Sequence, residues 1–408
     1  MISIFFSILA LKMSGSPTSF LEVFSGRMKF RLRAVLLLTT LFLPTILIAQ
    51  KQPTASQQAS TKGLKLDTGE EIFNASCVGC HGANGVGQEE TLRGFDAPST
   101  FPDFTDCNGS TREKTADWNA IIHEGGPIRG FSEIMPSWKD ALTDEQIEKV
   151  IAFLRSRCDE PGWPLGELNL PRTLFTEKAF PEDEYVITST VNTKGLREIS
   201  AAVIYEKRFG VKNQLEFVAP YSVIEHSSDR WVGGIGDLVL GYKRTLFSSL
   251  RAGTIWSLQG EVAVPSGNKS KGLGSGVTTF ETFAAIGQLL PGKTFAHIQT
   301  GFELPTDTTK APNAFFWRTA FGKSFTQNGK VGRMWTPIVE FLSDRDLVAG
   351  EKTNWDIVPE LQVTLNKRQH VRLGVGVRTP MNNTAGRSKQ IAIYALWDFF
   401  DGGLREGW

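Results

Sequence analysis

The sequence predicts a multidomain chain: a small all-α domain followed by an all-β transmembrane antiparallel barrel of about twelve strands. Three observations predict this. A Cys-x-x-Cys-His run lies between two segments of helical periodicity within residues 67–158. From residue 184 onward the helical period gives way to alternation of apolar and polar residues. The connections between the alternating segments are in turn short and long. The chain has 408 residues, room for both parts, and a net charge of +1, which offers no general basic bias toward nucleic acid. Its 40 Gly and 28 Phe suit a turn-rich β protein with aromatic girdles.

Residues 1–49 read as an export signal. Arg27, Lys29, Arg31 and Arg33 precede an apolar run over 34–48, broken at Pro44 and followed by the small residue Ala49. The run is shorter than the roughly 20 residues of a spanning helix, so cleavage is expected, with a retained anchor as the alternative. Met28 stands directly before this signal and is a second candidate start. Residues 50–66, rich in Gln, Ser and Thr, read as a flexible tether.

The segment Cys77-Val78-Gly79-Cys80-His81 has the spacing that attaches haem covalently. Two thiols add to the vinyl groups, and the adjacent imidazole then faces the iron. Zinc would need a second Cys/His pair, which the isolated Cys107 and Cys158 do not supply. One haem c is therefore expected. Gly69 to Ser76 has a helical pattern with Ile72 and Phe73 on its apolar side. A glycine-rich loop, 82–87, follows the motif and can wrap a flat cofactor. A last helix starts after Thr143, with Gln146 at the capping-box position and Ile147, Val150, Ile151 and Leu154 as its stripe. In an exported chain the remaining Cys107 and Cys158 are most simply a disulfide, the alternative being two buried thiols.

These features, in this order, resemble a class I cytochrome c: a first helix leading into Cys-x-x-Cys-His, a loop bearing Met135-Pro136, and a closing helix. The resemblance implies Met135 as the second axial ligand opposite His81. His123 is the rival ligand. Both axial positions being filled, electron transfer is expected rather than an enzyme with its own substrate site, and no catalytic residue is assigned.

Beyond a Pro-rich connector, 159–183, whose Trp163, Leu168, Leu170, Leu174, Phe175 and Phe180 should dock on the barrel mouth or enter its lumen, the strands begin. They are expected near 184–192, 196–207, 212–222, 234–247, 251–264, 276–290, 293–304, 313–326, 331–343, 353–366, 369–379 and 388–399. A soluble sandwich has no reason to alternate its connection lengths; an outer-membrane barrel does, with short periplasmic turns and long external loops. On that parity the cytochrome lies on the periplasmic side. Inward positions carry Glu206, Glu216, Asp237, Glu261, Glu281, Glu303, Glu340 and Glu360 with Lys243, Arg318, Arg372 and Arg378. Two readings stay open: a lumen filled by ion pairs and water, or an acidic passage for a cation. The stretch 233–242 resembles the twelve-stranded channel family of phenol-degradation operons, and the whole resembles porin–cytochrome fusions. This resemblance implies electron transfer at the outer membrane between periplasmic carriers and an external redox partner or metal ion. The alternative is a solute channel whose tethered cytochrome serves another redox enzyme.

Overall fold

The structure, a computed structural model, describes residues 65–408 except 99, 159, 161, 194–196, 227–229 and 328–330. The expected signal, 1–49, and the tether up to residue 64 lie outside the described residues.

The first part is built from helices α1 (Gly69–Ser76), α2 (Val78–His81), α3 (Glu90–Arg93), α4 (Cys107–Ser110), α5 (Thr115–Glu124) and α6 (Asp144–Arg157). The two that frame it start alike. Thr68 Oγ1 accepts the Glu71 amide at 3.2 Å while the Glu71 carboxylate accepts the Thr68 amide at 3.1 Å. Thr143 and Gln146 repeat the exchange at 3.3 and 3.0 Å. Each such cap is worth about 1 kcal/mol because it satisfies amides that have no partner within the helix. Ile72 and Phe73 of α1 then bury against Ile147, Val150, Ile151 and Leu154 of α6. Each of these large side chains contributes roughly 1.5–3 kcal/mol. The two helices come very close at Gly69, where a Cβ would stand 2.0 Å from the Lys149 carbonyl oxygen. Cys107 and Cys158 form a disulfide that ties the start of α4 to the end of α6.

The second part is one antiparallel sheet closed on itself. Its strands are β1 (Glu184–Asn192), β2 (Glu198–Phe209), β3 (Asn213–His226), β4 (Arg230–Ile235), β5 (Leu238–Ser249), β6 (Thr254–Val264) and β7 (Thr279–Leu290). They continue with β8 (Thr294–Pro305), β9 (Ala314–Lys323), β10 (Phe325–Thr326), β11 (Met334–Asp346), β12 (Asn354–Thr364), β13 (Val371–Pro380) and β14 (Gln390–Asp398). β1 pairs with β14 from Glu184↔Asp398 to Asn192↔Gln390, which closes the ring. Two strands are interrupted rather than continuous. β4 and β5 both pair with β3, and β9 and β10 both pair with β11, so the ring has twelve positions.

The first break falls at Gly236-Asp237, inside the strand expected over 234–247. There the Asp237 carboxylate turns aside to accept the amides of Gly267 at 2.9 Å and Ser275 at 2.7 Å. Asp237 therefore pins the loop after β6. The expected long loop 223–233 is corrected to a hairpin: β3 runs on to His226 and β4 returns from Arg230, pairing Glu225↔Trp231. Six register pairs, from Tyr221↔Ile235 to His226↔Arg230, continue the ladder in place of the expected loop.

The faces of the ring are inverted relative to a soluble sandwich. Outward side chains such as Ile187 (58% exposed), Leu240 (58%) and Leu258 (47%) are open, whereas inward Glu206, Gln259, Gln299 and Thr336 are at most 1% exposed. An apolar exterior over a polar interior is the surface of a barrel set in lipid. The inward face also carries apolar residues. Ile255, Phe283, Phe295 and Phe316 also point inward and form two apolar islands. They exist because the connector enters the lumen. Leu168 and Phe180 pack on the first island and Leu170 on the second.

Candidate functional site

α1 delivers its apolar face to the core and ends at Cys77, whose amide still donates to the Phe73 carbonyl at 2.8 Å. A single helical turn, α2, carries Cys80 and His81, and Gly82 at φ 69° stops it. Cys77, Cys80 and His81 therefore emerge on one side of the fold. The loop after α5 carries Met135 to the same cavity. Gly126 donates to the Met135 carbonyl at 3.0 Å and Trp138 to the Ile122 carbonyl at 3.0 Å, which pins the Met135-Pro136 segment to the end of α5.

Cys77, Cys80, His81 and Met135 all line one cavity of about 1010 Å³. That lies at the top of the usual size for small-molecule pockets, roughly 300–1,000 Å³. Cys77 and Cys80 are free thiols. Burial pushes the Cys77 thiol up and the His81 imidazolium down to about 4, so the ring is neutral at neutral pH with a lone pair to offer. His81 Nδ1 is buried with no hydrogen-bond partner among the described residues. The ring is stacked on Phe101 at 5.2 Å and tilted against Phe104 at 5.2 Å. Phe73, Trp118, Ile122 and Leu154 complete an apolar lining. Two thiols, a neutral imidazole, a thioether and aromatic walls around one large cavity fit a covalently held haem with His and Met axial ligands.

His123 is not part of this arrangement. Its ring lies 2.9 Å from the Glu124 carboxylate and 3.9 Å from Asp144, with the side chain 32% exposed, and it does not line the cavity. Met135 lines the cavity and His123 does not. On α5, Ile121 and Ile122 line the cavity, while His123 takes the part-exposed side next to Glu124.

The second part of the chain contributes to the same cavity, and nothing in the motif reading points to it. Tyr185 of β1, Tyr205 of β2, Trp397 of β14 and Phe399, Phe400 and Asp401 beyond it all line the cavity. The only sequence signal is the aromatic density of 397–400, Trp-Asp-Phe-Phe, at the end of a strand. The two parts are locked together at this joint. Arg112 is ion-paired to Asp183 and lies 4.6 Å above the Phe400 ring. Arg368, in the turn between β12 and β13, donates to the Gly130 carbonyl at 2.7 Å and covers the Phe131 ring at 4.3 Å. Gly166 donates to the Thr111 carbonyl at 2.7 Å. The cytochrome-like part thus sits at the barrel end that bears the turn after β12, the same end at which β1 begins and β14 finishes.

Inside the barrel the inward charges are largely committed to the connector. Glu340 accepts the amides of Leu174, Phe175 and Thr176 at 3.1, 3.1 and 2.7 Å, and Glu360 accepts Leu174 at 3.0 Å. Arg172 stands 3.2 Å from Glu206 and 3.6 Å from Glu184. Lys178 pairs with Glu182 and, at 3.0 Å, with Glu184. Glu177, Glu206 and Glu216 bring carboxylate oxygens within 4.8 Å of one another. Arg172 and Lys243, the latter 3.9 Å from Glu177, already supply positive charge there. The lumen is thus a plugged, ion-paired interior at this level.

Comparison with known proteins agrees with the helical part. Residues 65–154 match the family described as cytochrome c oxidase, cbb3-type, subunit III. A cytochrome c6 from Bryopsis maxima is 30% identical over 103 residues, covering 25% of this chain and all of that protein. A nicotinate dehydrogenase component from Pseudomonas putida is 30% identical over 126 residues, and this chain spans only 9% of its length. Among solved structures, an outer membrane channel from Pseudomonas putida F1 covers 56% of this chain and 99% of its own length, at 12% identity and a TM-score of 0.37. The KdgM porin covers 53% of this chain at 6% identity and a TM-score of 0.35. At those scores the barrel assignment rests on the closed strand ring itself.

Proposed function

Through residues 65–154 the chain belongs to the cytochrome c family, and from that premise we propose that it is a monohaem c-type cytochrome joined to an outer-membrane barrel, transferring electrons at the barrel's periplasmic end. The observation that carries this reading is the convergence of Cys77, Cys80, His81 and Met135 on one cavity.

In this reading Cys77 and Cys80 would hold the group through thioethers, and His81 and Met135 would bind its iron. Bound in this way, a haem iron supplies a one-electron redox centre whose potential is raised by a Met ligand relative to a second His. The apolar walls exclude water, and the loop 126–138 holds the Met135 thioether in place. With His81 and Met135 both bound to it, the iron would keep no open position for a substrate, which favours electron carriage over an enzymatic role. The barrel's short turns and the cytochrome share one end, as expected when short turns are periplasmic. Periplasmic electron carriers are then the partners on this side. A hydrocarbon layer is roughly 30 Å thick, so exchange with an external donor or acceptor needs a further redox partner. The plugged lumen speaks against the alternative of a free solute channel with a tethered cytochrome.

The experiment is reconstitution in liposomes with a soluble, impermeant reductant on one side. Haem reduction from the cytochrome side alone is the expected result. Solute flux equal to that of an open porin, with a haem inert to carriers on either side, would replace this reading with the channel.

A further inference from the structure

The geometry points to the barrel rim as the missing wall of the haem crevice: Tyr185, Tyr205 and Trp397, with Phe399 and Phe400 after β14, cover the side that the cytochrome domain leaves open. The inference rests on the haem reading above and assigns a role to residues outside the cytochrome fold.

The cavity lining falls into two sets. One comes from 73–154 and includes the two attachment cysteines and the two expected iron ligands; the other comes wholly from the barrel and the segment 399–406. The barrel rings form a connected sheet rather than scattered contacts. Tyr185 lies 4.8 Å from Tyr205 and 5.7 Å from Trp397, Tyr205 lies 5.8 Å from Phe399, and Trp397 lies 6.0 Å from Phe399. An aromatic girdle at a membrane interface would account for rings on the outer face. It would not account for the segment past β14 turning back over the crevice. That segment is held by specific contacts. The indole of Trp397 donates to the Gly402 carbonyl at 3.2 Å, and Lys367 donates to the Gly407 carbonyl at 2.7 Å. Gly130, five residues before Met135, meets this segment so closely that a Cβ there would stand 2.4 Å from the Gly407 Cα. Arg368 grips both partners, pairing with Glu406 at 2.7 Å and with the Gly130 carbonyl at 2.7 Å.

A wall of rings keeps water and small hydrophilic molecules from the crevice. A drier crevice disfavours the extra positive charge of the ferric state and so raises the reduction potential. Carriers are thereby directed to the opening bounded by the cytochrome's own residues.

The test uses the full chain carrying its haem. Trp397→Ala and Phe399→Ala should each change the Soret-region circular dichroism, which reports aromatic rings beside the haem. Both should lower the potential and speed haem reduction by ascorbate several-fold. Tyr205→Phe keeps its ring and should match the parent in all three measurements. Gly130→Val, which forces the segment at 407 away, should shift them in the same direction as the alanine variants. Barrel integrity is read separately from heat-dependent migration on gels. Folded, haem-bearing Trp397→Ala and Phe399→Ala proteins with the parent's dichroism, potential and reduction rate would overturn the wall. Absence of covalent haem in the parent chain would instead overturn the haem reading, so the two failures are distinguishable.

Discussion

At the scale of single residues, the expected site makes sharp demands. Cys77→Ala with Cys80→Ala should abolish haem stain on a denaturing gel, because each thiol is one of the two attachment points; stain that survives would sink the assignment. Met135→Ala should remove the thioether-to-iron charge-transfer band, whereas His123→Ala should leave it, since His123 faces Glu124 and Asp144 instead of the cavity. Glu113 offers a pH test. Burial first, with the Asp117 carboxylate beside it second, pushes its carboxyl up to about 7. The unfolded carboxyl releases its proton near 4.5, so between 4.5 and about 7 the folded state binds more protons. Stability of the cytochrome domain should therefore fall as pH rises through that window. Glu113→Gln should flatten this dependence in denaturant titrations followed at the haem spectrum; an unchanged slope would assign the effect to another group.

At the scale of elements, the α1–α6 crossing and the disulfide carry the helical part. Cys107 and Cys158 are 51 residues apart in sequence. Closing such a loop contributes about 4 kcal/mol in the loop-entropy account. Replacing both by Ser should cost a loss of that order in unfolding free energy, measured on the haem-bearing chain. A loss below about 1 kcal/mol would mean that residual structure in the unfolded chain already restrains that loop. In the barrel the corresponding lesson is that interrupted strands have causes. β5 starts anew at Leu238 because Asp237 has left the ladder to hold the loop after β6.

At the scale of the whole molecule, the orientation of the barrel decides which compartment the crevice serves. Lys269, Thr308 and Asn383 lie in exposed loops at the end away from the cytochrome, and Arg251 and Lys367 in exposed turns at the near end. Single cysteines at the first three should react with an impermeant thiol reagent on whole cells. Those at Arg251 and Lys367 should react only after the outer membrane is opened. The reverse pattern would place the cytochrome outside the cell and make its partners extracellular. Ser228, expected in an external loop, lies outside the described residues.

Both folds were legible in the sequence because each rests on short-range regularities. The helices follow from 3.6-residue stripes and Thr caps; the twelve strand positions follow from two-residue alternation and loop lengths. The Cys-x-x-Cys-His spacing needs no tertiary information either, since it is a local requirement of attachment. The tertiary structure decided what depends on distant residues meeting. It placed Met135, and not His123, in the lining of the cavity that holds Cys77, Cys80 and His81. It chose the lumen over the mouth for the connector, because inward Ile255, Phe283 and Phe316 meet Leu168 and Phe180 only once the ring has closed. It also brought Trp397 and Phe399 to a cavity whose other wall starts at Phe73, more than three hundred residues earlier. No periodicity records that approach, because the burial it creates belongs to the joint between two folds and to neither alone.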